Sequence, residues 1–207
     1  ISSSEIILFL KKERLYILDN NIVNSSTNIT SLDNSSNTSI CWIGYKSYKI
    51  ESLNANILIV GETFKKTSVN KSIIYTKNPR LAIVLLINKF FLESNQKEFI
   101  AKNAIIGENV KIGKNCIINS NVVIGDDVEI GHNVMVQSNT TIMSNCIIKN
   151  NVFIESGSRI GTEGQGHIYS IDNQYIQFPH ISGVVIEDNV EIGANTVVVR
   201  GVLNNTY

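Results

Sequence analysis

One segment of the N-terminal third, ICWIGYKSYK (40–49), combines three aromatic side chains with two lysines. Trp42, Tyr45 and Tyr48 alternate there with Lys46 and Lys49. Aromatic rings stack on planar groups and lysines attract anions, so this combination suits a nucleobase and its phosphates. The alternative is that Trp42 belongs to the core and the tyrosines are half-buried. Spacing alone does not decide between these two interpretations.

A second group of candidate side chains lies in GTEGQGHIYSIDNQYIQFPHISG (161–183). This segment contains Glu163, His167 and His180 among several glycines and aromatic residues. Its glycine spacing is neither that of a phosphate-binding P-loop nor that of a dinucleotide-binding turn, because no Lys-Ser/Thr follows and no helix is predicted to begin there. A long segment that leaves a regular scaffold often carries function. We expect a flap over a ligand cleft or a neighbouring subunit, with a simple surface decoration as the alternative.

For two further polar residues, Arg200 and His132, the sequence says less about a functional role. Arg200 could contact a phosphate or a carboxylate, or form a surface ion pair. His132 lies where a corner of the repeat is expected, so a solvated side chain is predicted, with a place in a cleft between subunits as the alternative. The three histidines lack metal-site spacing, so no metal is predicted. Cys116 and Cys146 take small, inward positions of the repeat and are predicted to be core residues.

A strict six-residue repeat lies on both sides of the segment 161–183 and must position its candidate side chains. Isoleucine or valine recurs at every sixth residue from Ile106 to Ile160, and again from Ile186 to Val198. The residue three positions after each of these, apart from Ile160 where the run ends, is Asn, Asp or Gly, the types that tolerate positive φ. These residues are Asn109, Asn115, Asn121, Asp127, Asn133, Asn139, Asn145, Asn151, Gly157, Asn189, Asn195 and Gly201. Strands of period two cannot explain this pattern. It predicts a left-handed parallel β-helix, with three corners and about 18 residues in each coil.

The repeat divides the chain into two predicted domains. Residues 1–99 lack the period and read as a small α/β domain. Its helices are expected from Glu5 to Lys12 and from Pro79 to Phe91, and its strands at 40–43, 55–60 and 72–75. Residues 100–207 form the solenoid, interrupted at 161–183. We expect this solenoid to be incomplete at its C-terminal end, because no capping segment is visible there.

Composition narrows the function classes. Lys+Arg and Asp+Glu are both 18, and this zero net charge argues against a general nucleic-acid or anionic-membrane binder. No apolar run is long enough to span a bilayer. The 34 isoleucines favour strands and the 27 asparagines favour turns. The three cysteines form no CxxC pair, and no secretion signal opens the chain, so we expect reduced thiols in a cytoplasmic protein.

Three sets of segments together resemble a known family. They are ITSLDNSSNTSICWIGYKSY (29–48) with LNANILIV (53–60), KNPRLAIVLLINKFF (77–91), and IESGSRIGTEGQGH (154–167) with FPHISGVVIEDNVEIGANTVVVRG (178–201). In this order the segments resemble UDP-3-O-acylglucosamine N-acyltransferase of lipid A biosynthesis. They also resemble its relatives that acylate nucleotide-linked amino sugars for surface polysaccharides.

The resemblance implies a homotrimer that takes an acyl chain from acyl carrier protein, or from coenzyme A, without a bound cofactor of its own. It implies that the N-terminal domain binds the nucleotide, with Trp42 and Tyr48 as the stacking pair. The family's catalytic histidine is expected beyond Tyr207, where it takes a proton from the sugar amine. No catalytic residue is therefore assigned within these 207 residues.

The sequence departs from the family pattern at several positions. Val199 stands where the family usually has Asp, Tyr45 where it often has Asn, and GTEGQGH replaces the GxDGxGY loop motif with Glu163 and His167. Two alternatives therefore stay open. One is a catalytically inactive trimer that serves as a binding or structural module, and the other is an acetyl-coenzyme A-dependent sugar acetyltransferase.

Overall fold

The computed structural model describes residues 1–44, 50–64, 69–92 and 98–207. The chain divides into two compact units, Ile1–Asn95 and Gln96–Tyr207. The first mixes helices and strands, and the second consists almost entirely of short strands.

The first unit is built on a five-stranded sheet that faces two helices on one side. The elements are α1 (Ser3–Lys12), β1 (Tyr16–Asp19), β2 (Asn28–Ile29), β3 (Ser39–Ile43), β4 (Ile57–Gly61), β5 (Ser72–Thr76) and α2 (Pro79–Leu86). The strand order is β1-β5-β4-β3-β2, and only the β1–β5 pair is antiparallel. Short 3-10 turns occupy Leu32–Asn34 and Ile50–Ser52, and a π-helical turn, Ile87–Phe91, extends α2.

Both helices begin at capping residues. Ser2 accepts a hydrogen bond from the Glu5 amide at 3.3 Å, and the Glu5 carboxylate accepts one from the Ser2 amide at 2.8 Å, which together form a capping box. Asn78 caps α2, whose first residue is Pro79. The predicted starts are therefore confirmed to within two residues.

The central strands of this unit are buried on both faces, as is usual for parallel strands covered on two sides. Ile57 and Ile59 pack with Ile74 and the two helices. Leu58 and Val60 face a second apolar cluster on the other side of the sheet. The sequence pattern did not predict strand β1, which joins the sheet by pairing with β5.

The second unit is the predicted left-handed parallel β-helix, and the six-residue repeat is its basis. Most of its strands are only two residues long, and they stack in three sheets. Paired residues are 18 positions apart before the interruption, as Ile106, Ile124 and Ile142 show, and 38 positions apart across it. The strands are β6 (Phe99–Ile100), β7 (Ile105–Ile106), β8 (Lys111–Ile112), β9 (Ile117–Ile118), β10 (Val123–Ile124), β11 (Glu129–Ile130), β12 (Met135–Val136), β13 (Thr141–Ile142), β14 (Ile147–Ile148), β15 (Phe153–Ile154), β16 (Arg159–Thr162), β17 (His167–Tyr169), β18 (Tyr175–Gln177), β19 (Val185–Ile186), β20 (Glu191–Ile192) and β21 (Val197–Val199). Of these, β17 and β18 lie outside the three sheets.

The corners have the backbone conformation that the Asn/Asp/Gly pattern predicts. The ten predicted Asn and Asp residues have φ between 55 and 63°, and Gly157 has φ 77°. The predicted corner at Gly201 is wrong, because this glycine does not have positive φ. The chain leaves the six-residue period there, and the Gly201 α-carbon packs against the carbonyl of Asn204, where a Cβ would lie 1.7 Å from the oxygen.

Asparagine side chains connect the coils at one corner. Asn115 donates to Asn133 at 3.2 Å, Asn133 donates to Asn151 at 3.0 Å, and Asn151 donates to Asn189 at 3.1 Å. We call these four residues the asparagine ladder. Cys116 and Cys146 are fully buried among the inward isoleucines and valines, where burial raises the pKa of both thiols. Their prediction as core residues is confirmed.

Candidate functional site around the 163–183 arm

The interruption of the repeat projects from the solenoid as a β-hairpin. After β16 the chain passes through residues 163–166, forms the antiparallel pair β17–β18, and rejoins the solenoid at Gly183. We call residues 163–183 the arm. Its tip is fully exposed at Ile171, and Tyr169 and Tyr175 are largely exposed. An antiparallel pair of two strands is marginally stable by itself, so the position of the arm depends on how its two ends are held.

The entrance to the arm is held by Arg200. Its Nε atom donates to the Gly161 carbonyl at 2.7 Å, and its Nη2 atom donates to the Ser144 carbonyl at 2.9 Å. Gly161 has φ +83°, and a Cβ there would lie 2.5 Å from the Cys146 sulfur. The guanidinium is half-buried and forms no ion pair among the described residues, so the surface ion pair considered for Arg200 is not observed.

The exit from the arm is held by Asn205. Its side-chain oxygen accepts hydrogen bonds from the Ser182 hydroxyl at 2.8 Å and from the Gly183 amide at 2.9 Å. Thr206 adds main-chain bonds, since its amide donates to the Gly183 carbonyl and its carbonyl accepts from the Val185 amide. Residues 199–206 thus contact both ends of the arm, an arrangement that the six-residue period does not predict.

His180 is the one histidine of this region that is buried. Its Nδ1 atom lies 3.1 Å from the Phe178 carbonyl, which can only accept, so Nδ1 is the donor of this hydrogen bond. Gly164 covers the ring closely. A Cβ on Gly164 would lie 2.6 Å from the His180 Nε2 atom and 3.0 Å from the Val199 Cγ1 atom. This glycine is therefore required by packing.

Glu163 and His167 occupy exposed positions on the arm. The Glu163 carboxylate accepts a hydrogen bond from the Gln177 side chain at 3.2 Å. The His167 ring stacks on Tyr175 with 4.0 Å between ring centroids, and Tyr169 contacts the edge of the same cluster at 5.9 Å. The structure thus joins Glu163 and His167 to β18, while His180 packs at the base of the arm.

His132 is exposed at a solenoid corner, as predicted, and it also has a structural partner. Its Nδ1 atom accepts a hydrogen bond from the Lys114 amide at 2.9 Å. The Asn150 side chain does the same for the His132 amide, and Asp188 does so for the Asn150 amide. An acceptor side chain recurring at this corner in successive coils is the sequence signal that would have revealed the contact.

The aromatic cluster of the first unit is only partly described. Trp42 is half-buried near the carboxyl end of β3 and packs at the edge of the cluster formed by the sheet and the helices. Its ring lies against Gly44, where a Cβ would be 2.9 Å from the Trp42 Cζ3 atom. Tyr45, Lys46 and Tyr48 lie outside the described residues, so their roles stay predictions.

Two structural features of the described part of the chain concern metal binding and membrane insertion. Within it, no group of three or more His, Cys, Asp or Glu side chains gathers as metal ligands would. No helix of this part is both long and apolar enough to cross a membrane.

Comparisons with known proteins address the solenoid first. A family model for the GMPPB C-terminal domain matches residues 100–176, and a model for the hexapeptide repeat of succinyl-transferase matches residues 181–203. With the coil geometry, these matches place the second unit in the class of hexapeptide-repeat domains that transferases contain.

Whole sequences of known proteins narrow the class. The chain is 43% identical to the UDP-3-O-acylglucosamine N-acyltransferase of Helicobacter hepaticus over 190 residues, which is 86% of this chain and 58% of that protein. It is 49% identical over 51 residues to UDP-3-O-acylglucosamine N-acyltransferase 2 of Legionella pneumophila, or 25% of this chain and 15% of that protein. The chain belongs to the family of UDP-3-O-acylglucosamine N-acyltransferases and their relatives. It spans less than two thirds of the length of these two relatives.

Proposed function

We propose that the protein is an N-acyltransferase that acylates the amine of a nucleotide-linked amino sugar, in lipid A or surface-polysaccharide biosynthesis. The observation that carries this proposal is the 43% identity to the Helicobacter enzyme over 86% of the chain, which extends through both units. A match confined to the hexapeptide repeats would have supported only the transferase class.

The proposed reaction forms an amide. The sugar amine attacks the carbonyl carbon of an acyl thioester, the C–S bond breaks, and the amine proton passes through a base to the departing thiolate. The acyl donor in this proposal is acyl carrier protein or coenzyme A, which acts as co-substrate, and the enzyme needs no bound cofactor. His180 is buried at the base of the arm, with its Nδ1 atom 3.1 Å from the Phe178 carbonyl, and we assign it no part in this proton transfer.

The first unit supplies the nucleotide site in this proposal. Trp42 is near the carboxyl end of a parallel strand, and ligands of open parallel sheets bind at that edge. Its ring is half-buried, so one part is anchored by packing while another part is available to a planar base. We include Tyr48, Tyr45 and Lys46 as the further contacts to the base and its phosphates.

Trp42 allows a direct test of nucleotide binding, because it is the only tryptophan of the chain. Titration with a UDP-linked amino sugar should quench its fluorescence and raise the melting temperature. Trp42→Phe should keep the thermal shift, and Trp42→Ala should lose it. The amino sugar without its nucleotide serves as the control ligand. If no nucleotide sugar changes either signal, the nucleotide site does not exist.

The transfer itself is tested by product mass. The chain is incubated with UDP- and dTDP-linked amino sugars and with either long-chain acyl carrier protein or acetyl-coenzyme A. A mass increase equal to the acyl group supports the proposal, and its size separates a long-chain transferase from an acetyltransferase. Nucleotide binding without any product would favour an inactive binding module, the alternative that Val199 supports because it replaces an expected carboxylate.

The proposal includes a homotrimer, since the family is built around clefts between three subunits. Light scattering after gel filtration should give about three times the 23.0 kDa chain mass. A monomeric mass would remove the clefts from the proposal. The cytoplasmic location and the absence of nucleic-acid binding stay predictions.

A further inference from the structure

The two ends of the arm share one anchoring segment. Arg200 donates to the carbonyl of Gly161, two residues before the arm, and Asn205 accepts from Ser182 and Gly183 at the end of the arm. These contacts are 39, 23 and 22 residues apart in sequence. We name Arg200 and Asn205 the clamp.

We propose that the clamp positions the arm, and that Arg200 does so through main-chain carbonyls rather than by binding a substrate anion. This inference gives the arm a role in the proposed acyl transfer, and to that extent it rests on the proposed function. Its structural part, the fixing of the arm, is independent of any activity.

The directions of the guanidinium hydrogen bonds are the main argument. Arg200 is half-buried, and two of its donating nitrogens are 2.7 and 2.9 Å from carbonyl oxygens. Hydrogen bonds from a charged donor are stronger than neutral ones, and arginine holds two acceptors in a rigid fork. One acceptor, Ser144, belongs to a regular coil and the other, Gly161, to β16, two residues before the arm begins. The fork therefore ties the arm to the solenoid.

Burial around the entrance supports the same conclusion. Gly161 needs its positive φ and the space beside the Cys146 sulfur, which fixes the direction in which the chain leaves β16. At the base of the arm, the His180 ring fills the space beneath Gly164. The arm beyond these points has few buried groups, and its tip residues are exposed. Loss of the clamp should therefore loosen the whole arm.

The arm carries its own reporters for a proteolysis test. Tyr169 and Tyr175 are exposed chymotrypsin sites within it, whereas Phe178 is not a site because Pro179 follows it. Cleavage of a locally opened segment reports the population of the open form when opening is fast. We expect Arg200→Gln to accelerate cleavage in the arm about tenfold, and Asn205→Ala to accelerate it several-fold. Arg200→Lys should resemble Arg200→Gln, because one ammonium cannot reproduce the fork.

Two matched control variants distinguish the effect of losing the clamp hydrogen bonds from the effect of any substitution nearby. Arg159→Gln removes an exposed arginine of β16, and Asn204→Ala removes the exposed asparagine next to Asn205. Both should cleave at the wild-type rate. Circular dichroism melting checks that the solenoid stays folded in every variant. If Arg200→Gln fails to fold, Asn205→Ala and Arg200→Lys still decide the outcome.

Two results would overturn the proposal. One is cleavage of the arm within twofold of the controls in all clamp variants. The other is unchanged cleavage together with a large loss of nucleotide-sugar affinity in Arg200→Gln, which would make Arg200 an anion ligand. If transfer activity is found, the clamp variants should lower kcat and leave KM for the nucleotide sugar nearly unchanged. If none is found, the proposed function fails, while the proteolysis result still stands by itself.

Discussion

Substitution of Asn133 separates two contributions that the solenoid corners combine. Asn133 has φ +56°, and it is the second residue of the asparagine ladder, bonded to Asn115 at 3.2 Å and to Asn151 at 3.0 Å. Asn133→Ala removes both ladder bonds. It also places alanine, which has a Cβ but no polar side chain, in the left-handed region of the backbone. Asn133→Gly removes the same bonds but is free to adopt positive φ.

The expected costs follow from these contacts. Left-handed backbone costs an ordinary residue about 1–2 kcal/mol, and two exposed amide hydrogen bonds contribute about 1 kcal/mol together. Asn133→Ala should therefore destabilise the solenoid by about 2–3 kcal/mol. Asn133→Gly avoids the steric cost and adds about 0.5–1 kcal/mol of backbone entropy, for a total of about 1.5–2 kcal/mol. Glycine should be the better replacement at this position.

The control position reverses the order. Asn119 does not have positive φ, and its side chain donates one hydrogen bond to Gln137 at 3.1 Å. There Asn119→Ala should be more stable than Asn119→Gly by about 0.5–1 kcal/mol, because glycine only adds entropy to the unfolded chain. The four variants are compared by urea unfolding followed by far-ultraviolet circular dichroism, with midpoints compared at constant slope.

The reversal between the two positions is the decisive observation. If alanine were as good as glycine or better at position 133, positive φ would not be what selects asparagine at the corners. The repeat would then have to be explained by the ladder bonds alone.

Two further predictions concern the core and the ionisation of a tyrosine. Ile142 is fully buried between Ile124 and Ile160, so Ile142→Ala should lower the free energy of unfolding by about 2–5 kcal/mol. Ile106 lies in the first coil and is 37% exposed, so Ile106→Ala should cost less than half as much. Equal costs in urea unfolding would contradict the packing argument. The hydrogen bond from Tyr16 to Asp19 at 2.6 Å, followed by burial and the Asp19 charge, raises the pKa of Tyr16 to about 12. A raised phenol pKa means that the fold favours the protonated form, so this contribution to stability is complete below pH 10.0 and is lost as the pH rises through about 12. The difference in absorbance at ~295 nm between wild type and Tyr16→Phe should therefore titrate near pH 12, and a midpoint near 10.0 would show that the bond to Asp19 is absent in solution.

The solenoid is the part of this protein that its sequence determines most directly. Each coil repeats the same local rule, in which a β-branched residue points inward and an Asn, Asp or Gly adopts positive φ three positions later. Because both requirements act within a few residues, the period could be read without knowledge of any distant contact. Pro79, from which the start of α2 was predicted, is a local signal of the same kind, and so are the capping residues Ser2 and Asn78 that the structure shows.

Contacts between distant residues decided the rest. Strand β1 exists because it pairs with β5 far along the chain, and no periodic pattern in its four residues signals that pairing. Gly201 matches the corner pattern, yet the chain turns away there because residues 204–206 return to pair with 182–185. The sequence marked Arg200 as a charged residue at the end of the repeat, and only the tertiary structure turns its guanidinium towards two carbonyls. A hydrogen bond between residues 39 positions apart depends on how many coils separate them and on where the arm leaves the solenoid, and neither is visible in local sequence.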